Sequence, residues 1–97
     1  MARAIVLNGD DNVATLVDSA RKGEAVQLAG NAKGLVDLVR DVAFGHKFAL
    51  RPIAKGETIL KYGKVIGQAT DAIATGDHVH VHNVEALRGR GDKQGAR

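Results

Sequence analysis

The chain has 97 residues, with 14 Lys+Arg against 11 Asp+Glu for a net charge of +3, three aromatic rings, no tryptophan and no cysteine. That length suits one small domain whose core must come from Val, Leu, Ile and Ala, and the lack of cysteine excludes a disulfide framework, a zinc ribbon, an iron–sulfur cluster and a thiol nucleophile within it. No apolar run approaches the roughly 20 residues of a membrane span, and Met-Ala-Arg-Ala-Ile-Val lacks the apolar stretch of a leader, so the expectation is a cytoplasmic protein with no membrane partner.

Residues 4–8 (AIVLN) form an apolar run of strand length, closed by the turn chemistry of Gly9-Asp10-Asp11. The next segment predicts a helix. Asp11 suits its first turn, Val13, Leu16, Val17 and Ala20 recur at i, i+3, i+4 and i+7, Arg21 and Lys22 suit its C-terminal end, and Gly23 suits its stop. Three times thereafter a Gly is followed by an acid and then a strand-like run: Gly23-Glu24 before AVQL, Gly56-Glu57 before TILKYG, and Gly76-Asp77 before HVHVHN. In each, Gly supplies a positive φ that launches a new strand. A faint internal duplication and plain turn chemistry both account for this recurrence.

Residues 34–43 (GLVDLVRDVA) fit a helix by periodicity, but the hairpin-type loop 30–34 (GNAKG) joining them to AVQL argues for a strand. Pro52 closes or edges the strand FALR, and residues 58–70 read as two short strands about Tyr62-Gly63-Lys64, with Gly67 permitting a bend. The fold class expected is mainly β (α+β), built from short turned strands with one helix in the N-terminal half. Residues 1–87, with ten Lys/Arg and ten Asp/Glu, form the neutral domain; residues 88–97 (RGRGDKQGAR) hold four cations against Asp92 and read as a flexible basic tail or docking segment. Because the charge excess is confined to that tail and the rings do not interleave with a basic stripe, nucleic acid is not an expected partner.

The chemistry concentrates in residues 78–83 (HVHVHN). As a strand, this segment would turn Val79 and Val81 to the core and His78, His80 and His82 to the opposite face. A His-x-His pair on that stripe supplies either two metal ligands or one ligand and one acid/base group, while an exposed polar edge is the competing structural reading. Gly45-His46-Lys47 offers a backbone that a ligand can approach and a cation suited to a carboxylate, sulfonate or phosphate. So short a body with three rings can hardly pack a core and also enclose a substrate, which places any action of these histidines at an interface with another subunit or another copy of the chain.

Gly-His-Lys at 45–47, Lys-Tyr-Gly-x-x-Ile-Gly at 61–67 and His-x-His-Asn at 80–83, in this order, resemble the N-terminal SAF-type domain of the altronate/galactarate dehydratase family and the small subunit of sulfolactate sulfo-lyase. The resemblance covers about residues 44–92, and the N-terminal half only in outline. It implies a β-clip fold and β-elimination from a sugar acid or related hydroxy-acid, releasing water or sulfite, with iron(II) or manganese(II) as cofactor. Carried over residue by residue, it implies catalytic roles for His46, Lys47 and His82, substrate binding by Tyr62, Asn83 and Lys47, and metal ligation by His80 and His82, with His78 ranked below them. It further implies a small subunit whose large catalytic partner supplies most of the active site, homo-oligomerisation being possible as well. The alternative is a non-catalytic SAF-like module that binds an acidic carbohydrate or stabilises an oligomer.

Overall fold

A computed structural model of the protein describes residues 1–86; the basic tail read at 88–97 lies outside the described residues. The described chain is all-β, with β1 (Ala2–Val6), β2 (Val13–Leu16), β3 (Ala25–Gly30), β4 (Leu35–Asp37), β5 (Lys47–Ala49), β6 (Thr58–Lys61), β7 (Lys64–Ala69), β8 (His78–Val79) and β9 (Val84–Ala86). One six-stranded sheet runs β4-β3-β1-β2-β5-β8, and a three-stranded sheet runs β6-β7-β9. β1 and β3 pair in parallel, while the other pairs in both sheets are antiparallel.

The expected helix over residues 11–23 is therefore corrected, and with it the α+β class. Val13–Leu16 is strand β2, paired with β1 on one side and β5 on the other. It misleads by periodicity because both of its faces are covered: Val13 belongs to one apolar cluster, and Ala14 and Leu16 to the other. A strand buried on both faces loses the alternation that would distinguish it from a helix. Asp11 caps no helix. Its carboxylate accepts hydrogen bonds from the backbone N–H groups of Tyr62 and Gly63, both 2.8 Å. These two residues form the tight β6–β7 turn with φ of 55° and 76°, a pair of positive values that suits a two-residue hairpin loop.

The strand alternative for residues 34–43 holds, since β4 pairs antiparallel with β3 across the 31–34 loop. Residues 58–70 form β6 and β7 as expected, with a register shift at Ile59/Leu60 opposite Gly67. The three Gly-acid turns are also present, at Gly23 (φ 84°), Gly56 (φ 88°) and Gly76 (φ 82°), and each precedes a strand. A fourth, Gly45 (φ 82°), precedes β5 with His46 in the place of the acid. All four close the same way, with Glu24, His46, Glu57 and Asp77 donating their N–H to the carbonyls of Arg21, Ala43, Ala54 and Ala74. The turns also associate in pairs through the antiparallel bridges Ala20 with Val42 and Ile53 with Ile73.

The core divides into two clusters, one around Leu16, Leu38 and Phe48 and one around Ile53, Ile59, Ile73 and Val79. β5 separates them, contributing Phe48 to the first and Ala49 to the second. Its partner β8 is shorter than the sequence suggests. Val79 is fully buried, but Val81 is 81% exposed, so the alternation ends at residue 80. Asn83 is the physical reason. Its Oδ1 accepts from the His80 N–H at 2.9 Å and its Nδ2 donates to the His78 carbonyl at 2.8 Å, and its own N–H donates to the His80 carbonyl. The chain is thereby folded into a turn over residues 81–83.

Candidate functional site

The β5–β8 pairing assembles the histidines. Lys47 lies opposite Val79 and Phe48 opposite His78. Continuing that register by one residue sets His46 across from His80, with His78 one step further along. The ring centroids of His46 and His80 are 4.6 Å apart and stacked, those of His78 and His80 are 5.1 Å apart and stacked, and His46 to His78 is 5.1 Å. His46 Nδ1 and His78 Nε2 share a hydrogen bond of 2.9 Å. Two segments that the sequence presents as separate, 45–47 and 78–83, thus make one cluster.

The cluster's second side is fixed by charge pairing. Asp77 accepts from the Arg40 Nε at 2.7 Å and from the His78 backbone N–H at 2.8 Å, which holds the turn that delivers His78. Burial and the neighbouring His46, His80 and His82 push the His78 imidazole down to about 4 against a partly opposing pull from Asp77. His80 is lowered too, by burial and then by His46, Lys47 and His82. Neutral imidazoles result, each with a lone pair to offer. Lys47 is half-buried at the start of β5, and burial followed by repulsion from Lys61 lowers its ammonium below the ordinary range.

The residues singled out from sequence are placed as follows. His46, His78 and His80 present ring nitrogens that all lie within 4.8 Å of one another, a grouping able to hold a metal ion. His82 is exposed on the following turn, its ring 5.4 Å from that of His78. Lys47 and His80 line a pocket of about 250 Å³ whose other walls include Ile66, Val79, Val81 and Val84. Asn83 is buried with its amide bonded at both ends to backbone. Tyr62 is not among the residues lining that pocket; it sits at the β6–β7 turn with Lys61 Nζ 4.9 Å from its ring centre. Asp11 and Asn12, read from the sequence as a helix start, instead clamp the β6–β7 hairpin, and no local signal separates the two roles.

Over residues 2–87 the chain matches the family model described as the altronate/galactarate dehydratase SAF domain. The chain belongs to that family. Among the relatives of this SAF domain, the altronate dehydratase of Escherichia coli K12 is 46% identical over 79 residues, 81% of this chain and 15% of that protein. The altronate dehydratase of Bacillus subtilis 168 is 35% identical over 85 residues, 88% of this chain and 16% of that protein. The (2R)-sulfolactate sulfo-lyase subunit alpha of Chromohalobacter salexigens is 47% identical over 47 residues, 48% of this chain and 50% of that subunit. The SAF domain therefore spans about 15% of the length of the dehydratases it matches. Among its described residues, no helix is long and apolar enough to cross a membrane.

Proposed function

We propose that this SAF domain acts as the small subunit of an altronate-dehydratase-like hydro-lyase, eliminating water from a sugar acid or related hydroxy-acid at a site shared with a larger catalytic subunit. The observation that carries the reading is the convergence of His46, His78 and His80, of which His80 also lines, with Lys47, a pocket too small to enclose a substrate. At about 250 Å³ it falls below the roughly 300–1,000 Å³ of ligand pockets, which favours a second wall contributed by a partner. The kinship with lyases, one of which is itself named a subunit, supports the same arrangement.

The elimination breaks a C–H bond next to the carboxylate, its proton passing to a base at the shared site, and a C–O bond at the neighbouring carbon, whose hydroxyl leaves as water, and the resulting enol becomes a 2-keto acid. Lys47 suits the substrate carboxylate, where its lowered ammonium meets a negative charge. His82, exposed at the edge of the cluster, suits proton transfer to the departing hydroxyl. His46 and its two neighbours face the charge that develops on the enediolate. The iron(II) or manganese(II) implied by the resemblance would, when bound at these imidazoles, supply Lewis-acid stabilisation of that charge.

The test is to combine the chain with a large dehydratase subunit and iron(II) and follow 2-keto acid release. Lys47→Ala is expected to lower kcat by about 10²-fold or more; full activity of the large subunit alone would overturn the catalytic role. Val81 at 81% and Val65 at 46% exposure favour one second reading, an assembly module, in which Lys47→Ala leaves turnover unchanged while Val81→Asp weakens the complex.

A further inference from the structure

The geometry points to a three-imidazole metal site formed by His46, His78 and His80, selective for a nitrogen-preferring divalent ion such as iron(II), cobalt(II) or zinc over manganese(II) or magnesium. It differs from the His80–His82 pair that the sequence suggests, and it stands on the geometry of the rings, independently of the reaction proposed above.

Three observations carry it. First, the ligand nitrogens of the three rings lie within 4.8 Å of one another, and two of them already meet at 2.9 Å. Nitrogens around one ion at about 2.0–2.1 Å stand roughly 3–3.4 Å apart, so binding asks only for a small spreading of that pair and a small closing of the third. The proton shared by His46 and His78 moves to the far nitrogen of its ring, a change of tautomer without net proton loss.

Second, the rings are delivered by backbone that is held on every side. His46 follows the Gly45 turn, whose N–H donates to the Leu16 carbonyl, and the His46 carbonyl accepts from the Leu16 N–H. His78 and His80 are fixed by the Asn83 amide and by Asp77. The site therefore exists before an ion arrives, which lowers the cost of ordering it. His82 lies on the exposed turn beyond Asn83 and is not part of the grouping.

Third, the donor set is all nitrogen. Among the described residues, the carboxylate next to His78 in the chain, Asp77, is engaged by Arg40 and by the His78 N–H. Imidazole suits zinc, copper, iron and nickel, whereas manganese and magnesium favour carboxylate, carbonyl and water. All three rings are partly exposed, so coordination positions stay open toward solvent, as in a catalytic rather than a closed structural centre.

Titration of the full chain with cobalt(II), followed by visible d–d absorption and by calorimetry, tests the site. One ion per chain is expected, displaced by zinc, with manganese(II) bound at least about tenfold more weakly. His46→Gln, His78→Gln and His80→Gln should each weaken cobalt binding by about tenfold or more, while His82→Gln leaves it within about threefold. A rise in the wild-type unfolding temperature on adding zinc gives a readout that needs no variant. Absence of saturable binding, or binding lost in His82→Gln and kept in His46→Gln, would overturn the assignment. Metal binding without any effect on 2-keto acid release would remove the ion's part in the proposed reaction and leave the site intact.

Discussion

Asn12 is a fully buried amide whose hydrogen bonds run between elements. Its Nδ2 donates to the Thr58 carbonyl at 2.8 Å, its Oδ1 accepts from the Leu60 N–H at 2.8 Å, its N–H donates to the Leu60 carbonyl at 3.2 Å, and its carbonyl accepts from the Leu50 N–H at 2.9 Å. With the adjacent Asp11 carboxylate on the β6–β7 turn, it ties β6 to the large sheet across the gap between the two sheets. Truncation leaves the Leu60 N–H and the Thr58 carbonyl without these part-buried partners, each costing about 1–2 kcal/mol. Asn12→Ala is accordingly expected to lower stability by about 2–4 kcal/mol in urea unfolding, and a loss below about 0.5 kcal/mol would show that the clamp is not what joins the sheets. Nothing in the local sequence announces this role, because an Asp-Asn pair before an apolar run is equally the signature of a helix start.

The elements that were legible in the sequence are those whose cause is local. A Gly two or three residues before a strand states its own positive φ, so the turns at Gly23, Gly56 and Gly76 could be read directly, as could the hairpin about Tyr62-Gly63. Residues 13–16 could not, since their burial on both faces depends on which strands pack around them. The gathering of His46 with His78 and His80 was hidden for the same reason: it follows from pairing between β5 and β8, whose residues lie about thirty apart in the chain, and no local pattern sets that register. The end of β8 is not legible from periodicity, because Asn83 curls the segment back on itself through its side-chain amide. The turns also differ in how tightly they are packed. At Gly76 a Cβ would run into the backbone of Asp37 and Leu38, whereas at Gly45 it would meet open space. Gly45→Ala should therefore cost about 1–2 kcal/mol, the backbone penalty alone, and Gly76→Ala clearly more, the two compared by chemical denaturation. Equal losses would mean that the packing at Asp37 yields without cost.

At the scale of the whole molecule, nine short strands and two small apolar clusters among the described residues supply a scaffold, and the histidine cluster sits where β5 and β8 pair. The pocket there is lined by Lys47 and His80 together with Ile66, Val79, Val81 and Val84, and Val81 is largely exposed. The four matching turns give this scaffold a redundancy with a consequence of its own. At Glu24 and Glu57 the acid folds back and its carboxylate accepts from the N–H of Arg21 and Ala54, sealing the turn. His46 occupies the same position and cannot seal its turn in that way, since its ring is turned toward His78 and His80. Two of the four turns carry this staple; at the third the Asp77 carboxylate is turned to Arg40 and the His78 N–H, and at position 46 an imidazole stands in the staple's place at a rigid, predefined point, a local trade of durability for a ring that can reach its neighbours. His46→Glu should run the trade backwards, recovering about 0.5–1.5 kcal/mol of stability in urea while losing cobalt binding. A variant that gained nothing in stability would show that the position was never a staple to surrender.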